Sequence, residues 1–162
     1  MKVIGIDPGF NITGYCVLEN LGEKPKLIEA GEIRSKASDS VEKRLKEIFT
    51  GVDDIIKEFH PDSLAVEEIY SHYNHPKTAV IMGHARGVII LAAGIADIPV
   101  YSYPATRIKR SLTGSGHASK EQISRMVLNL LDCAQISFRP DVTDAVAVAL
   151  CHINVVLHGG TL

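Results

Sequence analysis

Two kinds of hydrophobic pattern follow one another along this chain, and their order restricts the fold. Three strand-like runs with short connections lie before residue 40, which predicts an antiparallel meander. Beyond residue 40, helical patterns alternate with strand-like runs, which is typical of a sheet that continues with parallel strands. The predicted strands cover 2–6, 12–18, 26–34, 63–69 and 100–103, and the predicted helices cover 41–59, about 78–97, a stretch opening after 119, and about 142–158. The sequence therefore predicts an α/β fold with a five-stranded mixed sheet, antiparallel over its first three strands and then parallel, and with helices on both faces.

Composition indicates one globular domain. The chain has 162 residues, of which 46% are apolar and 22% charged, so a single domain over 1–162 can bury a core without disulfides or structural metal. Its three cysteines are odd in number and far apart, which argues for a reducing compartment. A charge at Asp7 interrupts the first apolar run, and the longest apolar run, 87–96, is about half the length of a membrane span. We expect a cytoplasmic protein, and its net charge of −2 does not by itself indicate a nucleic-acid or membrane partner.

Four acidic residues occupy positions where carboxylates are costly to bury. Asp7 ends the apolar run 3–6, and Glu67 ends the apolar run 64–66. As central neighbours in the sheet, these strands bring both acids to one edge, where ligands gather in α/β sheets. Asp141 and Asp144 are three residues apart, on one face at the start of the last helix. Clustered carboxylates repel one another, and Mg²⁺ or Mn²⁺ removes that repulsion, so the pattern favours a two-metal phosphodiesterase site.

Each of these acids also has an ordinary structural explanation. Asp7 precedes a Pro-Gly pair and could begin a turn. Asp141 could cap the last helix, and Asp144 could interact favourably with its dipole. Glu67 could lie on the surface at the end of its strand. These alternatives stay open for each residue singly, whereas one shared site accounts for all four together.

Basic residues are concentrated between 101 and 125. This segment has one acid, Glu121, and five basic residues, namely Arg107, Lys109, Arg110, Lys120 and Arg125. Together with the glycine-containing loop over 113–119, it could follow a nucleic-acid backbone, although a solvated helix face would have the same composition. Tyr70, shortly after Glu67, could stack on an exposed base or simply cover the sheet edge.

Four motifs in this chain resemble those of the RuvC family of Holliday junction resolvases. They are Gly5-Ile6-Asp7-Pro8-Gly9 with Thr13-Gly14-Tyr15, then Ala65-Val66-Glu67-Glu68, then Gly83-His84-Ala85-Arg86-Gly87, and finally Pro140-Asp141-Val142-Thr143-Asp144-Ala145. The first motif alone is weak, since many ribonuclease H-like and actin-like proteins have it. The four together, in order and at the family's spacings, make a specific resemblance that runs essentially end to end.

The resemblance implies a ribonuclease H-like fold, a homodimer, and resolution of four-way DNA junctions in homologous recombination and repair by paired symmetric nicks. The chemistry implied is two-metal-ion phosphodiester hydrolysis that leaves 5′-phosphate and 3′-hydroxyl ends. The family's catalytic and metal-binding acids correspond to Asp7, Glu67, Asp141 and Asp144, with two Mg²⁺ ions per subunit and Mn²⁺ as a substitute. Its DNA contacts correspond to Tyr70, Lys109, Lys120 and Arg86. It also suggests a complex with a branch-migration helicase, and the small residues Gly83 and Gly87 suggest a dimer contact on the second helix.

Three other functions compete with this interpretation. An actin-like or sugar-kinase domain shares the opening motif but needs a duplicated domain and a second phosphate motif, and neither is visible in the sequence. A ribonuclease H-like enzyme that trims structured RNA would prefer an RNA substrate. A junction-binding module without catalysis would not need all four acids.

Overall fold

The computed structural model describes residues 1–22, 24–69, 76–131, 138–157 and 159. Its strands are β1 (Lys2–Asp7), β2 (Ile12–Asn20), β3 (Pro25–Arg34), β4 (Ser63–Glu67) and β5 (Val100–Tyr103). They form one sheet in the order β3-β2-β1-β4-β5. The β1–β2 and β2–β3 pairs are antiparallel, whereas β1–β4 and β4–β5 are parallel. The predicted mixed sheet is confirmed, and β1 is the strand at which the sheet changes from antiparallel to parallel.

Among the described residues, five helices cover the two faces of the sheet. They are α1 (Val41–Phe59), α2 (Pro76–Ile95), α3 (Ala105–Thr113), α4 (Lys120–Leu130) and α5 (Pro140–Leu157). The core on one face is built from α3, α4 and α5, and the core on the other face from α1 and α2. Helices on both faces were predicted, and four of these helices lie close to their predicted positions.

Helix α3 was missed by the sequence analysis. It is short and contributes only two buried side chains, Ile108 and Leu112, so no long apolar periodicity reveals it. It ends at Gly114, whose φ of 76° is in the left-handed region that favours glycine after a helix. The glycine-containing segment is thus the end of one helix and the approach to the next.

Successive side chains along β1 and β4 lie on opposite faces of the sheet, so each core residue and each acid can be assigned to one face. Ile4 and Ile6 pack toward α1 and α2, and so do Leu64 and Val66, whereas Val3 and Ala65 pack toward α5. By the same two-residue period, Asp7 and Glu67 fall on the α5 face of the sheet. Glu68 follows the last residue of β4, and its side chain is exposed, so the strand period does not assign it to a face.

Two helices are long and apolar enough to cross a membrane by length and composition alone, over Lys77–Ile95 and Pro140–Leu157. Most of the second is buried inside the domain, where α5 packs on β1 and β2 as a core helix. The first has one face packed on the core, through Ala85, Ile89 and Ala92, and an opposite face that is exposed and apolar.

Candidate active site

Asp7 and Glu67 are the last residues of two adjacent parallel strands. β1 and β4 pair with Ile6 opposite Val66, so the two acids come next at the same edge of the sheet. Both carboxylates are largely buried on the α5 face, and each raises the electrostatic cost of charge in the cleft. The prediction that Asp7 and Glu67 lie together at one edge of the sheet is therefore confirmed.

Two glycines allow α5 to approach the sheet and deliver the remaining acids. A Cβ at Gly5 would collide with the Ala145 carbonyl oxygen and lie 2.7 Å from the Ala149 Cβ. A Cβ at Gly14, the register partner of Asp7, would collide with the backbone carbonyl of Asp141. The bare backbone of β1 and β2 is thus the surface on which the start of α5 packs. This close approach places Asp141 and Asp144 beside Asp7.

An ion pair outside the predicted set holds the entrance to α5. Arg139, immediately before the helix, lies with its Nη1 3.2 Å from the Glu32 Oε2. Glu32 is the register partner of Gly14 on β3, and its side chain is only 8% exposed. The contact joins residues far apart in sequence, which is why no local pattern indicates it.

Burial and electrostatic repulsion raise the pKa values of Asp7 and Glu67. The pKa of Asp7 is raised from its ordinary value of 3.8 to about 8, first by burial and then by the negative charges of Glu67, Asp144 and Asp141, in that order. The pKa of Glu67 is also raised, by burial and then by Asp144. Without a counter-ion the site therefore disfavours its fully ionised state, and Asp141 contributes the weakest of the three repulsions on Asp7.

Two lysines offset part of this negative charge. Lys120 begins α4, where Ser119 and Gln122 form a reciprocal capping box that fixes the start of the helix. Its Nζ lies 3.4 Å from the Asp144 Oδ2, and its side chain is 77% exposed. Lys109, on α3, joins Lys120 in lowering the pKa of Glu67. Both predicted lysines are thus at the edge of the acidic cluster.

The acids open onto a cleft of about 490 Å³. Its walls include Asp7, Glu67, Asp144 and Lys120, and α2 contributes Thr78 to the opposite side. The cleft is broad and open to solvent on one side, as a polymeric substrate requires. Asp141 is half-buried beside it rather than part of its lining.

The donor chemistry fits a hard divalent cation. The converging groups are carboxylates, and a cation among them would offset the repulsion that raises the pKa values of Asp7 and Glu67. Within the described ranges, no three His, Cys, Asp or Glu side chains are spaced to hold one ion by themselves. An ion in this cleft would therefore complete its coordination with oxygens from substrate phosphate and water.

Two arginines brace the site in ways that sequence reasoning missed. Arg44, on α1, is buried and donates from Nε to Ser35 Oγ (3.0 Å) and from Nη2 to the Phe10 carbonyl oxygen (3.0 Å). Its guanidinium lies 3.7 Å from the centre of the Phe10 ring, under the turn that follows Asp7. Arg86, predicted to contact DNA, donates within the protein to the Glu67 carbonyl oxygen and to Ser102. Whether Arg86 also reaches DNA stays a prediction, and Tyr70 lies outside the described residues.

Comparison with known proteins identifies the family. Residues 3–152 match the family model described as crossover junction endodeoxyribonuclease RuvC. The RuvC endonuclease of Rhodopirellula baltica is 45% identical over 149 residues, which are 92% of this chain and 84% of the relative. The RuvC endonuclease of Desulforamulus reducens is 43% identical over 152 residues, 94% of this chain and 93% of the relative.

Solved structures agree with the sequence relatives. RuvC of Thermus thermophilus in complex with Holliday junction substrate has a TM-score of 0.93 and 31% identity, and the match covers 99% of this chain and 97% of that one. The yeast mitochondrial Holliday junction resolvase Ydc2 has a TM-score of 0.66 at 13% identity, which shows a shared fold. The chain therefore belongs to the RuvC family, whose members are metal-dependent crossover junction endodeoxyribonucleases.

Proposed function

We propose that this chain, as a single domain over 1–162, resolves four-way DNA junctions and that Asp7, Glu67, Asp141 and Asp144 are its catalytic acids. The observation that carries the proposal is the convergence of carboxylates from β1, β4 and α5 in one open cleft, with Lys120 beside them. A junction cut twice, symmetrically, would leave 5′-phosphate and 3′-hydroxyl ends that a ligase can seal. This activity belongs to homologous recombination and DNA repair, and we place it in the cytoplasm.

The acids would hold two Mg²⁺ ions per subunit, with Mn²⁺ as a substitute. When bound, such ions would supply Lewis-acid activation of a water and would stabilise negative charge on the leaving 3′-oxygen. Asp7 is central among the ligands because its carboxylate is repelled by all three of the others. The sheet edge and the start of α5 keep these carboxylates in place, so little reorganisation is needed when substrate binds.

The DNA backbone would be held by Lys109 and Lys120, which flank the cleft. The Lys120 side chain is flexible and mostly exposed, so its ammonium group can exchange its contact with Asp144 for a contact with a DNA phosphate. Tyr70 would stack on a base at the opened centre of the junction. For Arg86 a DNA contact is a weaker expectation, since its guanidinium is engaged by the protein itself.

A two-fold homodimer would place two clefts on the two equivalent strands of a junction. The exposed face of α2 suits such a contact, because Val80, Leu91 and Ile95 are each more than half exposed there. Around Gly83 and Gly87 no atom lies within 4 Å of an added Cβ, which leaves room for a partner helix. A branch-migration helicase complex is the further partner that we expect.

The test is strand cleavage of a synthetic four-way DNA junction with Mg²⁺, Mn²⁺ or chelator, beside the matching linear duplex and an RNA hairpin. We expect paired, symmetric, metal-dependent nicks in the junction alone. Cleavage of the RNA instead would mean that the substrate assignment is wrong. Binding without cleavage under either metal would mean that the protein is a binding module.

Matched variants distinguish loss of a proposed metal ligand from loss of any negative charge near the cleft. Asp7→Asn and Glu67→Gln should abolish cleavage while leaving junction binding in chelator. Glu68→Gln, which removes an exposed neighbouring carboxylate in the wall of the same cleft, should retain cleavage, because Glu67 is the residue that ends its strand beside Asp7. Retained cleavage by Asp7→Asn would overturn the metal assignment, and loss of cleavage by Glu68→Gln alone would move the second ligand to Glu68.

A further inference from the structure

The Arg86 guanidinium links three elements at the active-site end of the sheet. Arg86 lies on the half-buried side of α2. Its Nε donates to the Glu67 carbonyl oxygen at 3.3 Å, and its Nη2 donates to Ser102 Oγ at 2.6 Å. Glu67 is the last residue of β4, and Ser102 lies on the neighbouring strand β5. We propose that Arg86 is a positioning residue, which fixes the backbone at Glu67 so that its carboxylate stays aimed into the metal-binding cleft.

The peptide group between Glu67 and Glu68 is held at both of its ends. Its carbonyl oxygen accepts the Arg86 hydrogen bond, and its N–H, from Glu68, donates to the Tyr103 carbonyl oxygen at 2.9 Å. β4 ends at Glu67, so the pairing of β4 with its neighbours does not continue beyond this peptide to hold its orientation. Two tethers on one peptide restrict the rotation that would swing the Glu67 side chain away from Asp7.

The helix that carries Arg86 is itself rigidly placed. Ala85 on the preceding position is fully buried, and Ile89 and Ala92 continue the same buried stripe against the core. The hydrogen bond from Arg86 therefore fixes the end of β4 relative to α2. Since the planar guanidinium reaches two acceptors at once, a lysine at this position could keep only one of the two bonds.

Arg86 acts through the backbone rather than through its charge on the carboxylate. Its recorded hydrogen bonds go to the Glu67 carbonyl oxygen and to Ser102 Oγ, whereas the Lys120 Nζ contacts the carboxylate of Asp144. A positioning role and a DNA-contact role consequently predict different kinetics. Loss of positioning lowers turnover, whereas loss of a phosphate contact lowers affinity and the steepness of its salt dependence.

The experiment rests on the proposed function and uses the full-length protein. The variants are Arg86→Ala, Arg86→Lys, Ser102→Ala and the double variant, with Lys109→Ala as the comparison cation. Junction affinity is measured in chelator over a range of salt, and single-turnover cleavage is measured over a range of Mn²⁺ concentrations. Thermal unfolding of each variant checks that it is folded.

We expect Arg86→Ala to cut at least about tenfold more slowly and to need more Mn²⁺ for half-maximal cleavage, with junction affinity and salt slope unchanged. Arg86→Lys should recover part of the rate. Ser102→Ala should show the same defect more weakly, and the double variant should be no worse than Arg86→Ala, because the two residues act as one contact. Lys109→Ala should show the opposite pattern, with weaker binding and a flatter salt slope.

Three results would overturn the positioning role. These are unchanged cleavage by Arg86→Ala, a salt slope reduced as in Lys109→Ala, or additive losses in the double variant. If Arg86→Ala fails to fold, Ser102→Ala alone decides, since normal cleavage and normal Mn²⁺ dependence in that variant contradict the proposal. A wild-type protein that cuts no junction would refute the proposed function instead, so the two failures are distinguishable.

Discussion

Asp7 should make the metal-free protein less stable, so that replacing its ionisable carboxyl group stabilises the fold while abolishing cleavage. Its pKa is about 8 in the folded protein against an ordinary 3.8. Between these values the folded state keeps a proton that the unfolded chain has released, so the free energy of unfolding falls as pH rises. At 1.36 kcal/mol per pKa unit, the cost is on the order of 4 kcal/mol at pH 7 and roughly 1.5 kcal/mol at pH 5.

Asp7→Asn removes this cost and introduces an amide whose burial takes back about 1 kcal/mol. We therefore expect the variant to be about 3 kcal/mol more stable than the wild type at pH 7 in chelator, and nearly equal to it at pH 5. Saturating Mg²⁺ should narrow or reverse the difference, because only the wild type gains binding free energy from the ion.

Urea unfolding at fixed protein concentration, at both pH values and with either chelator or Mg²⁺, measures these differences. Asp54→Asn on α1 is the matched control, since the Asp54 side chain is exposed and its substitution should leave stability unchanged. A variant that is less stable than wild type at pH 7 in chelator would refute the reasoning. So would a stability gain that is the same at pH 5 as at pH 7.

Three further predictions concern the surroundings of the acids. Lys120→Ala should weaken junction binding and reduce its salt slope by about one, and an unchanged slope in a binding titration would make Lys120 a bystander. Gly14→Ala should push α5 off the sheet, lowering stability by about 1–3 kcal/mol and slowing cleavage, whereas Gly94→Ala, with no atom within 4 Å of its Cβ, should do neither. Equal urea midpoints for the two alanine variants would contradict the close approach. Arg44→Met should cost about 2–4 kcal/mol because Ser35 Oγ and the Phe10 carbonyl oxygen each lose a hydrogen bond from the guanidinium, and the exposed neighbour Lys43→Met is the control. A midpoint for Arg44→Met no lower than the control's would contradict the brace.

Sequence patterns predicted the features that repeat locally. Apolar residues spaced three and four apart predicted α1, and Ser119 marked the start of α4, where its capping box is found. The apolar runs that end in Asp7 and Glu67 predicted the ends of two strands locally. Their parallel pairing was predicted from the order of strands and helices, and the structure confirms it.

The remaining features depend on contacts between distant segments. That Gly14 is a docking point for α5 follows only once Asp141 is known to cross over it. Arg44 reads as an ordinary surface residue of an amphipathic helix until the turn after β1 is placed beneath it. Arg86 was assigned to DNA on a motif, whereas its hydrogen bonds lie within the protein. Such roles are set by tertiary geometry and leave no periodic trace in the sequence.

The position of α5 in the chain has a consequence for synthesis on the ribosome. α5 follows every other described element, yet it covers the β1–β2 face of the sheet and carries two of the four acids. Domains emerge N-terminal end first, so β1 to α4 are exposed before this helix leaves the exit tunnel. A nascent chain at that stage has an uncovered apolar sheet and an incomplete set of acids. The proposed acids of α5 therefore join those of β1 and β4 only after this last described helix has packed on the sheet.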